Sequence, residues 1–314
     1  MEIHKIKIYP ILAFVILFLN SCNSDKKELK ITDKSQVIKT SSDCPVYLFK
    51  NKDNNLNISF LLDLSDRISD EKYPNSTMSY TNRDLGYIET VSKSFINHIE
   101  SKKLVLMNDK IQLYFDPPPL DATINEKSKE LKQNFIKSNI SEEKINQMKI
   151  DYTVLPKDIY TLAKKDGKYV GSDIWRFFKD KVKRYCVEEC NRNILIIITD
   201  GYMYHEDTKL TEGNRTSYLT PSMLRKFKLT NSKWNNTYNE KGFGFIPATE
   251  GLGDLEVLVL GVVNHDKKRN PYGKDVIEKY WEDWLESMGV FKYKIYGADL
   301  PTNMEGAIQD FIRK

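Results

Sequence analysis

The sequence is poor in the residues that mark small disulfide-bonded proteins and strongly charged ones. Only four of its 314 residues are cysteine and four are histidine, too few for a disulfide scaffold of this length. The 48 basic residues exceed the 44 acidic residues by four, so we expect no nucleic-acid partner and no polybasic membrane surface. A mean hydropathy of −0.52 excludes a protein with many membrane spans.

What is present is a globular composition. Hydrophobic residues make up 40 % of the chain, aromatic residues 11 % and charged residues 29 %. This balance excludes a disordered or fibrous chain. A length of 314 residues suits one large domain or two modest ones.

The N-terminal segment has the features of an export signal. Two lysines precede a run of nine apolar residues, Ile11–Leu19, which is far shorter than the roughly 20 residues of a membrane-spanning helix. The residues Leu19-Asn20-Ser21-Cys22 resemble the lipobox of bacterial lipoproteins. The resemblance implies that residues 1–21 are removed and that Cys22 is lipidated. No aspartate follows the cysteine, which in this class implies the outer membrane of the cell envelope. Residues 22–43 then form a polar tether.

Short apolar runs alternate with amphipathic segments in the rest of the chain. This alternation predicts an α/β fold, doubly wound, with a mostly parallel central sheet and helices on both faces. Strands are expected at 56–63, 110–115, 193–199, 255–263 and 291–296, and helices at 84–99, 126–136, 141–148, 172–185, 275–288 and 304–312.

Long insertions are expected at the carboxyl edge of this sheet, at about 117–170 and 202–253. The second insertion is rich in aromatic residues, which suit either a recognition surface or a small satellite core that packs the insertion onto the domain. We favour the satellite core for most of them. They are Tyr202, Tyr204, Tyr218, Trp234, Tyr238, Phe243 and Phe245.

Three cysteines remain once Cys22 is assigned to a lipid anchor. Cys186 and Cys190 are four residues apart near the end of a predicted helix, a spacing that a disulfide can bridge where the helix frays. Free thiols and a long-range bridge to Cys44 are the alternatives. The Cys186–Cys190 bridge is the prediction favoured by the spacing.

Polar residues cluster where two apolar strands end. The first strand ends at Asp63-Leu64-Ser65, and the most apolar strand ends at Thr199-Asp200-Gly201. Open parallel sheets bind ligands beyond the carboxyl ends of their strands. We therefore expect these acidic residues to serve a site.

These residues resemble the metal-ion-dependent adhesion site of the von Willebrand factor A family. Asp63 and Ser65 match its Asp-x-Ser, Ser172 stands where the family has a threonine after glycine, and Asp200 matches its Asp-Gly. The resemblance covers about residues 56–314. It implies a von Willebrand factor A-like domain, which we expect to comprise residues 44–314, after the tether.

An all-oxygen set of two carboxylates and two hydroxyls selects a hard cation, Mg²⁺ or else Ca²⁺ or Mn²⁺. Such a site leaves coordination positions that the carboxylate of a partner can enter. We therefore expect the domain to bind a protein or glycan partner at the cell envelope, with the lipid anchor holding it to the membrane.

One position departs from the family pattern, because Arg67 stands where the second serine is expected. A guanidinium cannot bind a cation. In one alternative, Arg67 points away from the cation, and Ser69 or Asp66 supplies the missing ligand. In the other, Arg67 neutralises Asp63 or Asp200 and no metal binds. The second case describes a metal-free structural or assembly component of an envelope complex.

An enzyme is the least favoured class. The sequence has no Gly-x-Ser-x-Gly, no His-Glu-x-x-His and no phosphate-binding loop. A hydrolase would have to use Asp63 and Asp200 with a metal. His98 and His265 are isolated in the sequence and do not predict a catalytic dyad, and the polar run at 205–207 predicts no second metal site.

Overall fold

A computed structural model describes residues 44–45, 52–169 and 171–314. The predicted signal peptide, the lipidation site Cys22 and the tether lie outside these residues. Within the described part of the chain, no helix is both long enough and apolar enough to cross a membrane.

The predicted doubly wound α/β fold is confirmed. Six strands form the central sheet in the order β3-β2-β1-β4-β8-β9, and every neighbouring pair except β2 and β3 is parallel. These strands are β1 (Leu56–Leu62), β2 (Asn108–Tyr114), β3 (Gln133–Ile136), β4 (Arg192–Ile198), β8 (Leu255–Val262) and β9 (Lys292–Gly297). A second sheet holds the short strands β5 (Thr211–Glu212), β6 (Arg215–Thr216) and β7 (Gly244–Phe245).

Helices cover both faces of the central sheet. One apolar cluster holds residues of α1, α2, α3 and α9, and the other holds residues of α4, α5, α6, α7 and α8. The helices are α1 (Tyr80–Ser101), α2 (Ala122–Glu130), α3 (Glu142–Asp166), α4 (Ile174–Asp180), α5 (Val182–Cys186), α6 (Pro221–Lys226), α7 (Trp234–Lys241), α8 (Gly273–Ser287) and α9 (Pro301–Arg313).

Burial on both faces explains the uninterrupted apolar run of the central strand β4. Ile194, Ile196 and Ile198 pack into one cluster, whereas Leu195 and Ile197 pack into the other. Because successive side chains of a strand point to opposite faces, a strand covered on both sides needs apolar residues at every position.

The helix expected over 126–136 is wrong in its second half. The helix α2 ends at Glu130, and residues 133–136 form the antiparallel edge strand β3 beside β2. Leu131 and Phe135 are fully buried, and Phe135 packs against Phe95 with ring centroids 5.7 Å apart. The helix expected over 172–185 is likewise divided into α4 and α5.

The predicted Cys186–Cys190 disulfide is also wrong. The structure has a Cys44–Cys190 disulfide, with Cα atoms 5.4 Å apart. Cys186 is instead a fully buried thiol, and burial raises its pKa to about 12. The structure therefore contains the long-range alternative. Cys186, at the end of α5, faces the core and forms no disulfide.

Most aromatic residues of the second insertion form the expected satellite core. Tyr238 and Phe245 are almost fully buried, and each packs edge-to-face on Tyr280 at a centroid distance of 5.1 Å. Phe227 stacks on Phe243 beside them. Tyr202 and Tyr204 differ from this group, since they line a cavity at the edge of the main sheet.

Candidate functional site

The strand order places a crevice beside the ends of β1 and β4. The chain leaves β1 toward β2 on one side, whereas β4, β8 and β9 lie on the other side. Asp63 follows β1 and Asp200 follows β4 by two residues. In doubly wound sheets, the carboxyl ends of the strands at such a switch point are the usual place for a ligand.

All four predicted site residues line one cavity of about 500 Å³ at this point: Asp63, Ser65, Ser172 and Asp200. They come from three loops that are far apart in the sequence. The other lining residues are Asp66, Lys72, Tyr73, Lys168, Tyr169, Gly171, Tyr202, Tyr204, Leu219, Thr220, Pro221 and His265. The structure therefore brings together the whole predicted set.

Asp63 is held rigidly at the cavity floor and is only 1 % exposed. One carboxylate oxygen accepts the Ser65 N–H at 2.9 Å, and the other accepts the Thr199 hydroxyl at 2.7 Å. Burial raises the pKa of Asp63; nearby Arg67 opposes this shift, and Asp200 adds to it. The carboxylate is thus oriented by two hydrogen bonds while it faces the cavity.

Arg67 lies on the core side of Asp63 and is 2 % exposed. Its guanidinium donates to Asp84 at 2.6 Å, and its Nε lies 3.7 Å from Asp63 Oδ2. Tyr160 donates its hydroxyl to the same Asp84 oxygen at 2.9 Å. Burial disfavours the charged guanidinium, but Asp84 and Asp63 outweigh that effect and raise the pKa of Arg67.

This position combines features of both alternatives drawn from the sequence. Arg67 does point away from the cavity, which its side chain does not line, yet it also lies close enough to Asp63 to offset part of its charge. Of the two residues expected to replace the missing serine, Asp66 lines the cavity and forms an ion pair with Lys72.

Ser172 lies just before α4 and forms an isolated antiparallel β-bridge with Tyr204. Gly171 has φ +84°, a left-handed conformation that favours glycine, and Asp173 caps α4 by accepting the Arg176 N–H at 2.9 Å. Ser172 is 5 % exposed, and its hydroxyl has no hydrogen-bond partner among the described residues. A buried hydroxyl left in this state is unusual in a folded protein.

Asp200 has a histidine partner that the sequence analysis missed. Its Oδ1 accepts the Tyr202 N–H at 3.0 Å, and its Oδ2 lies 2.9 Å from His265 Nε2. The His265 ring stacks against Tyr73 with centroids 4.1 Å apart. Since His265 follows β8, the rule that located Asp63 and Asp200 at strand ends could have found it.

The residues present suit a hard cation in part. Within the described ranges, no cluster of three or more His, Cys, Asp and Glu residues could hold a metal. The predicted set would not form such a cluster, because it has two carboxylates and takes its other oxygen atoms from serine hydroxyls. Ser172 lines the cavity, and its buried hydroxyl has no partner within the described residues. The polar run at 205–207 is not expected to form a second metal site. There, His205 lies 3.5 Å from Asp173, and Glu206 forms an ion pair with Lys209.

No protein-family model matches the chain, and no curated protein matches it. Among solved structures, it is similar to an aerotolerance-related membrane protein from Bacteroides fragilis NCTC 9343, at 12 % identity and a TM-score of 0.35, over 82 % of this chain and 98 % of that one. It is also similar to the pilus adhesin SpaC from Lactobacillus rhamnosus GG, at 10 % identity and a TM-score of 0.39, over 82 % of this chain and 30 % of that one. Because these scores are low, the fold is defined by the strand order described above.

Proposed function

We propose that this protein is a lipid-anchored binding protein of the bacterial cell envelope, with a von Willebrand factor A-like domain. In this proposal the cavity holds a divalent cation, Mg²⁺ or else Ca²⁺ or Mn²⁺, and captures an acidic group of a protein or glycan partner. One observation supports it above the others: Asp63, Ser65, Ser172 and Asp200 line a single cavity, where the Ser172 hydroxyl lacks a partner among the residues described.

The chain's own contacts prepare these oxygen atoms for a ligand. Ser65 and Thr199 orient Asp63 through hydrogen bonds, and the Tyr202 N–H orients Asp200. Such preorganisation lowers the entropic cost of binding. A cation bound here would supply the positive charge that attracts the partner's carboxylate.

The anchor rests on the sequence alone. The short apolar run that ends at Leu19 and the following Asn20-Ser21-Cys22 support export and lipidation at Cys22. One lipidated residue followed by a polar tether would hold the domain near a membrane while leaving its cavity open to a partner. The missing aspartate after Cys22 supports the outer membrane.

We infer binding rather than catalysis from the arrangement of the polar groups. A serine nucleophile needs a base within hydrogen-bond reach, and the Ser172 hydroxyl has no such partner in the described structure. His265 directs Nε2 toward Asp200 instead. The pair therefore orients a carboxylate and does not activate a hydroxyl.

A metal-free assembly component is the second candidate, and two contacts favour it. Arg67 lies 3.7 Å from Asp63, and His265 lies 2.9 Å from Asp200. The Arg67 guanidinium offsets part of the negative charge of Asp63, and His265 occupies one oxygen of Asp200 that a cation would need. In that case the insertions would dock a partner without a cation.

Manganese binding separates the two candidates. We expect the purified protein to bind one Mn²⁺, measured as loss of the free-ion electron paramagnetic resonance signal, and to melt higher in Mg²⁺ than in EDTA. Asp63→Asn combined with Asp200→Asn should abolish both effects. Asp310→Asn, at an exposed site on α9, is the matched control and should change neither.

A wild-type protein that binds no Mn²⁺ and melts at the same temperature in Mg²⁺ and EDTA would contradict the cation. That result would favour the metal-free component. Circular dichroism of the double variant checks that it remains folded.

A further inference from the structure

Tyrosine is the most frequent residue type in the lining of the cavity. Four tyrosines line it, on three different loops: Tyr73, Tyr169, Tyr202 and Tyr204. Tyrosine combines a flat apolar ring with a polar hydroxyl. Such a wall can cover the apolar face of a ring-shaped polar ligand while it donates hydrogen bonds to the ligand's edge.

Neighbouring side chains hold several of these rings in place. His265 lies between Tyr73 and Tyr202, with centroid distances of 4.1 and 6.2 Å and interplanar angles of 30° and 28°. Tyr204 packs edge-on against Tyr218 at 6.1 Å and is still 45 % exposed. The rings therefore form a largely ordered wall, and Tyr204 leaves much of its surface open to a ligand.

Two hydroxyl groups at this cavity lack partners in the described structure. They are the buried Ser172 Oγ and the buried Tyr202 Oη, and both residues line the cavity. A buried hydroxyl without a partner is energetically unfavourable. The proposed cation would take the Ser172 oxygen, which leaves the Tyr202 hydroxyl for a hydrogen-bonding group of the ligand.

The charge at the cavity is mixed. Lys168 is exposed and lines the cavity, whereas Lys72 is paired there with Asp66. Lys168 would attract an acid, and the buried carboxylates would repel one unless a cation lies between them. A ligand that carries both a carboxylate and hydroxyls could bind the cation near Asp63 and also contact the tyrosines.

We propose that the ligand is an acidic glycan, bound through a sugar unit that carries a carboxylate, such as a uronic acid. This inference rests on the proposed cation function, because the carboxylate would bind the cation at the floor. The sugar ring would stack on the tyrosine wall, and one of its hydroxyls would meet Tyr202. A volume of about 500 Å³ lies within the range of small-ligand sites.

An acidic peptide fits these observations less well. Its side-chain carboxylate could reach the floor, but a short flexible side chain leaves the tyrosine rings without contacts. The peptide is therefore the competing outcome of the test.

Calorimetric titration of the purified protein compares three probes: trigalacturonate, the neutral trisaccharide of galactose, and the peptide Gly-Glu-Gly. We expect trigalacturonate in Mg²⁺ to bind at least tenfold more tightly than the other two. Equal or tighter binding of the peptide or of the neutral sugar would overturn the glycan inference.

Chelation distinguishes a failure of this inference from a failure of the cation proposal. Trigalacturonate binding should fall at least tenfold in EDTA. Mn²⁺ binding without trigalacturonate binding would overturn the glycan and leave the cation site standing. Trigalacturonate binding that is unchanged in EDTA would instead overturn the cation while the glycan inference survives.

Tyr202→Phe tests the tyrosine wall by removing one unpaired hydroxyl. We expect trigalacturonate to bind about tenfold more weakly to this variant, the loss of one hydrogen bond. Tyr293→Phe is the matched control, because its hydroxyl donates to Glu286 outside the cavity, and it should bind as the wild type does. Unchanged affinity of Tyr202→Phe, or loss of Mn²⁺ binding together with the sugar, would overturn the assignment of this hydroxyl to the glycan.

Discussion

The two ends of the parallel sheet both bury charged groups, but they do so differently. At the amino ends of the strands, the Lys102 ammonium donates to Asn54 O, to Asn55 Oδ1 and to Asp109 Oδ2, each at 2.8 Å. The other Asp109 oxygen accepts the Leu56 N–H at 2.7 Å. Every proton of the ammonium and both oxygens of the carboxylate therefore have a partner.

At the amino ends, Asn54 Oδ1 is buried without a partner among the described residues, but it lies outside the Lys102–Asp109 pair. At the carboxyl ends, the unpaired groups lie at the cavity itself. The hydroxyls of Ser172 and Tyr202 have no partner within the described residues, and both side chains line the cavity. The amino edge also carries Cys190, two residues before β4, in the disulfide to Cys44. A completed network stabilises the fold, whereas an incomplete one leaves hydrogen bonds for a ligand.

Lys102→Met breaks the completed network and should have the largest effect on stability. It leaves the fully buried Asp109 carboxylate without its cation, which costs about 3–5 kcal/mol in the free energy of unfolding. Urea denaturation measures the loss. Lys103→Met, at the exposed neighbouring position, should stay within about 0.5 kcal/mol of the wild type.

The same variant checks whether the two ends act independently. We expect Mn²⁺ affinity to be unchanged in folded Lys102→Met, because the network lies at the opposite edge of the sheet. A change in affinity would show that the two ends are coupled, and would contradict the view that the amino-end network serves only the fold.

Arg67→Met should affect both stability and binding, because Arg67 contributes to the core and to the site. Asp84 and Asp63 would lose their buried cation, at a cost of about 3 kcal/mol. Mn²⁺ should bind about tenfold more tightly, since a positive charge near Asp63 would be gone. Denaturation and Mn²⁺ titration measure the two effects.

A second substitution separates charge from packing at this position. Adding Asp84→Asn to Arg67→Met removes the isolated carboxylate, so the double variant should be more stable than Arg67→Met alone. Arg313→Met, at an exposed position on α9, is the control. A double variant that is less stable than the single one would show that packing, rather than charge, dominates.

Much of the fold could be predicted because burial on two faces leaves a direct pattern. The apolar runs of β1, β4 and β8 needed no tertiary information, since only sheets covered on both sides require them. The edge strand β3 was missed because it is four residues long and pairs with the sheet on one side. The Cys44–Cys190 bridge joins residues 146 positions apart, a proximity that local spacing cannot reveal.

The site residues at strand ends could be predicted for a similar reason, since parallel strands bring their carboxyl ends together. The sequence left two alternatives open for Arg67, and it could not reveal which side chain His265 contacts. Arg67 is directed inward by its partner Asp84, 17 residues along the chain. His265 meets Asp200 because β4 and β8 are neighbours in the sheet, a contact that depends on the sheet order.

Ser172→Ala should have the smallest effect on stability and so gives the sharpest test of the comparison. Its hydroxyl has no partner among the described side chains or backbone, so its removal loses no hydrogen bond and ends the cost of an unpaired buried group. We expect the free energy of unfolding to change by less than about 0.5 kcal/mol or to rise. Mn²⁺ affinity should nevertheless fall, because an oxygen donor would be lost from the cavity.

Ser138→Ala is the matched control, because Ser138 is exposed in the turn after β3, outside the cavity, and it should leave Mn²⁺ affinity unchanged. Urea denaturation and Mn²⁺ titration of both variants measure the two quantities side by side. A destabilised Ser172→Ala with normal Mn²⁺ affinity would show that this serine serves the fold, as Lys102 does. The polar groups at the carboxyl ends of the strands would then stabilise the fold, as those at the amino ends do, and would not be left for a ligand.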